Sequence, residues 1–152
     1  MTVLLALLVT LQAVVQPSLR YDAGTACDRF VAAWNADRSE AILITLPRRL
    51  RDVPRRPLPI GESSARVRVV SPDDGFAKCG EDIGRSFVQI LSEGQAWVAL
   101  SGSILISVTG RFPFGSAAIE LRDVTLVDGS GKRIRQRGPV RFTAQINETV
   151  AG

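Results

Sequence analysis

Five arginines fall within the nine residues 48–56, "RRLRDVPRR": Arg48, Arg49, Arg51, Arg55 and Arg56, with Asp52 the one acid among them. Guanidinium groups at this density can grip phosphate, sulfate or carboxylate through charge-assisted, often two-pronged hydrogen bonds. The stretch has a net charge of +4, which equals that of the whole chain, so the remaining residues balance. A second basic group is Lys132, Arg133, Arg135, Arg137 and Arg141, of which Arg133, Arg135 and Arg137 alternate as a strand would. Alternate strand residues share one face about 7 Å apart. Anion binding is the chemistry both groups could perform. Each also has a plainer role: the first as a solvated connector, the second as charge that keeps an edge strand from pairing with other chains.

Catalysis has a narrower menu. The chain contains no histidine, so no Ser-His-Asp or Cys-His arrangement can be built. A histidine-based zinc site is excluded as well, and two cysteines cannot form a four-cysteine site. Acid–base work would fall to a tuned carboxylate, to Lys78 or Lys132, or to Tyr21. The loop carboxylates Asp73, Asp74, Glu81, Asp82 and Asp123 lack EF-hand spacing, and "GEDIG" at 80–84 lacks the lysine of a phosphate-binding loop. Asn147-Glu148-Thr149 fits the glycosylation sequon. No motif calls for a cofactor or a metal.

The compartment is read from the N-terminus and the cysteines. Residues 2–16 carry no charged side chain, and Val3–Val15 is an apolar run broken only by Thr10 and Gln12. That run falls short of the roughly 20 residues of a membrane span but suits a signal-peptide core. No basic residue precedes it and no small-x-small cleavage site follows, so an uncleaved anchor touching the membrane is the alternative. Residues 1–16 are therefore assigned to export or anchoring, and 17–152 to a single domain. Cys27 and Cys79 are the only cysteines. In an oxidising compartment they are expected to pair, closing a loop of roughly 53 residues that the chain-entropy model values at about 4 kcal/mol.

The positioning elements come next. Cys27, Phe30, Val31 and Trp34 stand at helical spacing, and Thr25 with Asp28 resembles a capping box, so a helix is expected over 25–38. Ala41–Leu46 is a short helix or a buried strand. Pro47, Pro54, Pro57 and Pro59 forbid regular structure through 47–59 and predict an extended, exposed arm. From Ala65 onward the pattern is β: 65–70, 85–91, 95–100, 103–109, 117–127 and 139–147. Turns are expected at 71–75, 92–94 and 128–131. Within 117–127 the apolar parity switches from Ile119 and Leu121 to Val124 and Leu126, which calls for a bulge near Arg122–Asp123. The expected fold is α+β, with the amphipathic helix packed on about six antiparallel strands. A β-sandwich or barrel carrying one helix is the alternative.

"DRFVAAWNADRSEAILITL", Asp28–Leu46, resembles the opening of the NTF2-like (SnoaL-like) superfamily, in which an amphipathic helix is followed by a polar break and a second helix. The resemblance implies a cone-shaped α+β fold around a pocket. It also implies a function among isomerases, cyclases, binding modules and secretion-machinery domains. Catalytic members often place His and Asp in the pocket; this chain has no histidine and no catalytic residue of it matches, so none is carried over.

Together these readings point to an exported, disulfide-bonded binding or accessory module of the cell envelope. Its expected partner is an anionic envelope component or an acidic protein. Nucleic acid is disfavoured, because an exported protein rarely meets it and no aromatic residue interleaves the arginines to stack bases. The rival function is an NTF2-like enzyme using pocket carboxylates.

Overall fold

The computed structural model describes residues 16–61, 63–70 and 96–147. These residues form nine strands: β1 Ala23–Cys27, β2 Phe30–Trp34, β3 Ala41–Thr45, β4 Leu58–Pro59, β5 Arg66–Val70, β6 Ala96–Thr109, β7 Phe114–Val127, β8 Arg133–Arg135 and β9 Val140–Asn147. The only helical element among them is one 3₁₀ turn, Leu50–Asp52. The order β6-β5-β3-β2-β1-β9-β7 closes through β6–β7 pairing into a seven-stranded barrel, with β4 and β8 appended. The expected α+β fold is thereby corrected: no helix packs on the sheet, and the helix that accompanied the barrel alternative is likewise not found among the described residues.

An odd ring cannot alternate strand direction all the way round, so one junction must be parallel. That junction is β1–β9, where Thr25 pairs Gln145 and Ala26 pairs Ile146. Every other pairing between these nine strands is antiparallel. Closure leaves β1, β2, β3, β5 and β9 without open edges.

The expected helix over 25–38 is a hairpin. β1 and β2 pair from Ala23↔Trp34 to Cys27↔Phe30, leaving Asp28–Arg29 as a two-residue turn. Asp28 takes φ +50, a conformation aspartate tolerates better than most residues. The apolar positions divide between two faces. Ala26, Val31 and Ala33 join the barrel interior, while Cys27, Phe30, Ala32 and Trp34 lie on the outer wall. That wall, shared with Ala41, Leu43, Val70, Ala96, Val98 and Val127, is buried as well. Both faces are apolar, so the strands show no alternation. The 41–46 alternative resolves as β3, and the two helices implied by the resemblance over 28–46 are strands.

The interior is aliphatic: Ile42, Ile44, Val67, Val69, Ile104, Ile106, Ile119, Leu121, Leu126, Val140 and Ile146 pack with Trp97 and Phe142. Gly24 allows close packing on the inner wall: a Cβ there would lie 3.0 Å from the Ala32 carbonyl oxygen and 3.2 Å from both Ala144 and Ala33.

β6 and β7 are fourteen residues each and form one long hairpin. The expected strands 95–100 and 103–109 are thus a single strand, kinked at Leu100, the extra residue between the Ala99 and Ser101 pairings. The expected bulge on β7 is present between Arg122 and Thr125, with Asp123 at φ +55. Gly102 faces it at φ +130, where a Cβ would sit 2.9 Å from the Arg122 carbonyl oxygen. β9 alternates without exception, Val140, Phe142, Ala144 and Ile146 in and Arg141, Thr143, Gln145 and Asn147 out. The expected turns at 71–75 and 92–94, the strand 85–91, Asp73, Asp74, Lys78, Cys79, Glu81, Asp82 and residues 1–15 lie outside the described residues.

Candidate functional site: the arginine-rich end of the barrel

Three connections meet at one end of the barrel. They are the β1–β2 turn, the 46–65 connection from β3 to β5, and the β6–β7 turn at 110–113. The sequence predicts a free arm at 47–59; the structure corrects this to a docked one. The Leu46 amide donates to the Arg29 carbonyl at 2.7 Å, and the Leu50 amide donates to the Asp28 carbonyl at 2.6 Å. The Leu50 side chain is 1% exposed and joins the interior cluster beside Leu46, with Val53 and Leu58 packed against it. Four prolines prevent a helix, and one leucine among arginines pins the segment.

The arginines themselves stay in water. Arg48, Arg49, Arg51, Arg55 and Arg56 are all exposed, as are Arg29 and Arg111 in the neighbouring turns. Arg49 Nε stands 3.4 Å from Asp28 Oδ1, and the Arg51 guanidinium lies 5.1 Å above the Phe112 ring. Arg29, Arg48, Arg55, Arg56 and Arg111 have no carboxylate within ion-pair distance among the described residues. Arg29, Arg48, Arg49 and Asp52 line a shallow, open depression. Among the described residues of these three connections, Asp28 and Asp52 are the only acids facing seven arginines.

The second basic group is elsewhere. β8 pairs the far end of β7, with Arg135 opposite Thr125 and Arg133 opposite Val127. Phe114 begins β7 at the arginine-rich end, so roughly 35 Å of strand separates it from Thr125. Arg133, Arg135 and Arg137 are exposed, and Arg135 approaches Asp123 at 4.0 Å. Arg135 and Arg137 line an open cleft of about 590 Å³ with Arg20 and the segment Gln16–Leu19. The two basic groups therefore occupy opposite ends of the barrel and do not form one surface. Arg141 belongs to neither; it bonds Glu120 at 2.9 Å on the outer sheet face, where Arg122 also donates to Glu120. The Arg141 bond, then the Arg122 bond, hold the Glu120 carboxyl below its ordinary range.

Three carboxylates at the opposite end, Glu40, Asp37 and Asp128, are occupied with the fold. Glu40 accepts from the Ser18 amide at 2.6 Å, the Leu19 amide at 3.1 Å and the Tyr21 hydroxyl at 2.7 Å. Burial, then the Glu40 charge, push the Tyr21 phenol far above its usual range, so it remains a donor. Its ring meets Phe142 edge-on at 5.7 Å. Asp128, 5% exposed, accepts from the Ser130 amide and hydroxyl and from the Lys132 amide, which orders the expected 128–131 loop. Burial would raise the Asp128 pKa, yet these hydrogen bonds outweigh it and hold the group below its ordinary value.

The inward positions of the described strands carry no Asp or Glu. Among the described residues no three metal-ligating side chains gather. Cys27 is buried at the end of β1, and its expected partner Cys79 lies outside the described residues. Sequence reasoning missed three features of the site: Leu50 as the anchor of the arm, Arg29 and Arg111 as members of the basic end, and the exposure of Phe114. The lone leucine inside "RRLRD" was the available signal for the first. Comparison with family models, with curated proteins and with solved structures finds no match to this chain.

Proposed function

We propose that the protein is an exported module of the cell envelope that binds an anionic partner through the arginine-rich end of its barrel. One observation carries the reading: among the described residues seven arginines meet two aspartates there, and five of the seven have no carboxylate partner. Such a cluster holds a positive potential that attracts an external anion. The interior-facing side chains offer apolar packing rather than acid–base groups, so binding accounts for the molecule better than pocket catalysis does.

Titration with short-chain polyphosphate tests the assignment. Binding is expected to weaken steeply with salt and to be lost when Arg48, Arg49, Arg55 and Arg56 are all changed to serine. Changing Arg133, Arg135 and Arg137 to serine is expected to leave it intact. The reverse pattern overturns the assignment.

Export and a Cys27–Cys79 bridge belong to the same proposal. Protein taken from its natural host is expected to resist alkylation until reduced. Alkylation of both thiols without reductant refutes the compartment.

A further inference from the structure

We infer that the arginine-rich end docks on an anionic lipid surface, with Phe114 entering the headgroup layer while the surrounding arginines hold the phosphates. This rests on the anion-binding reading and names the partner's class. Phe114 is 59% exposed, and among the described residues only Leu100, at 38%, is another exposed large hydrophobic side chain. A lone exposed phenylalanine is ordinary on a protein surface; what distinguishes Phe114 is its place at the end of the barrel that carries the arginine cluster.

Its position supplies a polar rim. Phe114 opens β7 directly after the β6–β7 turn, opposite Asn147. Strand parity sends it outward, since Ala117 and Ile119 face the interior. Arg111 lies three residues before it, and Phe112 between them carries the Arg51 guanidinium on its face. The aromatic tip is thereby tied to the arm that bears Arg48, Arg49, Arg55 and Arg56. Arginine heads around an exposed apolar side chain suit a headgroup interface, where phosphate and hydrocarbon lie within a few ångströms of each other. A soluble polyanion would use the arginines and leave Phe114 idle. An acidic protein would want a groove, and the depression beside Arg29, Arg48 and Arg49 is shallow and open.

The test places a reporter at the tip of the full chain. Phe114→Trp is mixed with vesicles of phosphatidylcholine alone or with added phosphatidylglycerol, carrying brominated acyl chains; the parent chain, with Trp34 and Trp97, is the control. Quenching and a blue shift specific to position 114 are expected only with phosphatidylglycerol, and high salt should abolish them. Serine at Arg48, Arg49, Arg55 and Arg56 should weaken the response about a hundredfold or more. Vesicles that bind the chain while the emission from position 114 stays unmoved locate the contact elsewhere, for example at the N-terminal apolar run, and overturn the inference. Equal quenching without phosphatidylglycerol overturns it too. Polyphosphate binding that survives either result leaves the anion reading standing and removes only the lipid; loss of both removes both.

Discussion

The two ends of the barrel use their charges in opposite ways. At the end that includes residues 16–22, 35–40 and 128–137, three of the four described carboxylates bond to the backbone. Glu40 fastens residues 18–21, Asp37 accepts from Ser39, and Asp128 orders the 128–132 loop. Among the described residues six basic side chains there face four acids, against seven and two at the other end. At that other end the backbone is fastened by Leu50 and two amide hydrogen bonds, and the arginines are left to solvent. Polar groups satisfied by their own chain stabilise a fold but have nothing to offer a ligand. Groups that the fold does not need remain available.

The contrast predicts how mutations should partition. The largest effect belongs to the docked arm: Leu50→Ala is expected to lower stability by about 2–5 kcal/mol, because it removes a fully buried side chain at the barrel mouth. A shift of the urea midpoint too small for this range would show that the arm is not packed. Next comes Glu40→Ala at the opposite end, which strands the Tyr21 hydroxyl and two amides and should cost about 1–3 kcal/mol. Tyr21→Phe should recover little of that loss if the amides dominate, and a double-mutant cycle reads the division.

A smaller effect is set by pH. The Asp128 carboxyl is held below its ordinary value, so its folded form favours the ionised state. The stabilisation is therefore fully present above the ordinary carboxylate pKa and lost as pH falls through the lower folded value. Asp128→Asn should flatten the acid limb of the stability profile without changing stability's pH dependence near neutrality. The smallest effect is expected where binding matters most. Serine at Arg48, Arg49, Arg55 and Arg56 should change stability by roughly 1 kcal/mol or less, the scale of an exposed ion pair such as Arg49–Asp28. A large fall in melting temperature would show these side chains belong to the fold.

Legibility of the sequence follows which faces of a strand meet water. β9 could be read residue by residue, because its inner face is apolar and its outer face is wet. β7 was readable down to its bulge for the same reason. β1 and β2 were not, because both of their faces are buried and a continuous apolar run carries no period. Cys27, Phe30, Val31 and Trp34 fit a helical template by coincidence: Val31 faces inward and the other three outward. The charge of the 48–56 stretch was plain in the sequence. Its meeting with Arg29 and Arg111, which stand far from it along the chain, depends on ring closure and could not be seen locally.

The parallel junction between β1 and β9 has a kinetic consequence. It joins positions about 120 residues apart, so the first strand of the ring waits for the last. A chain still emerging during synthesis can form the 23–34 hairpin and, later, the 96–127 hairpin, but it cannot seal its wall until Val140–Asn147 is available. Contacts of such long range make folding slow, on the millisecond-to-second scale typical of high-contact-order β proteins. The unfinished wall stays open through that interval, its β1 edge unpaired until the last strand arrives.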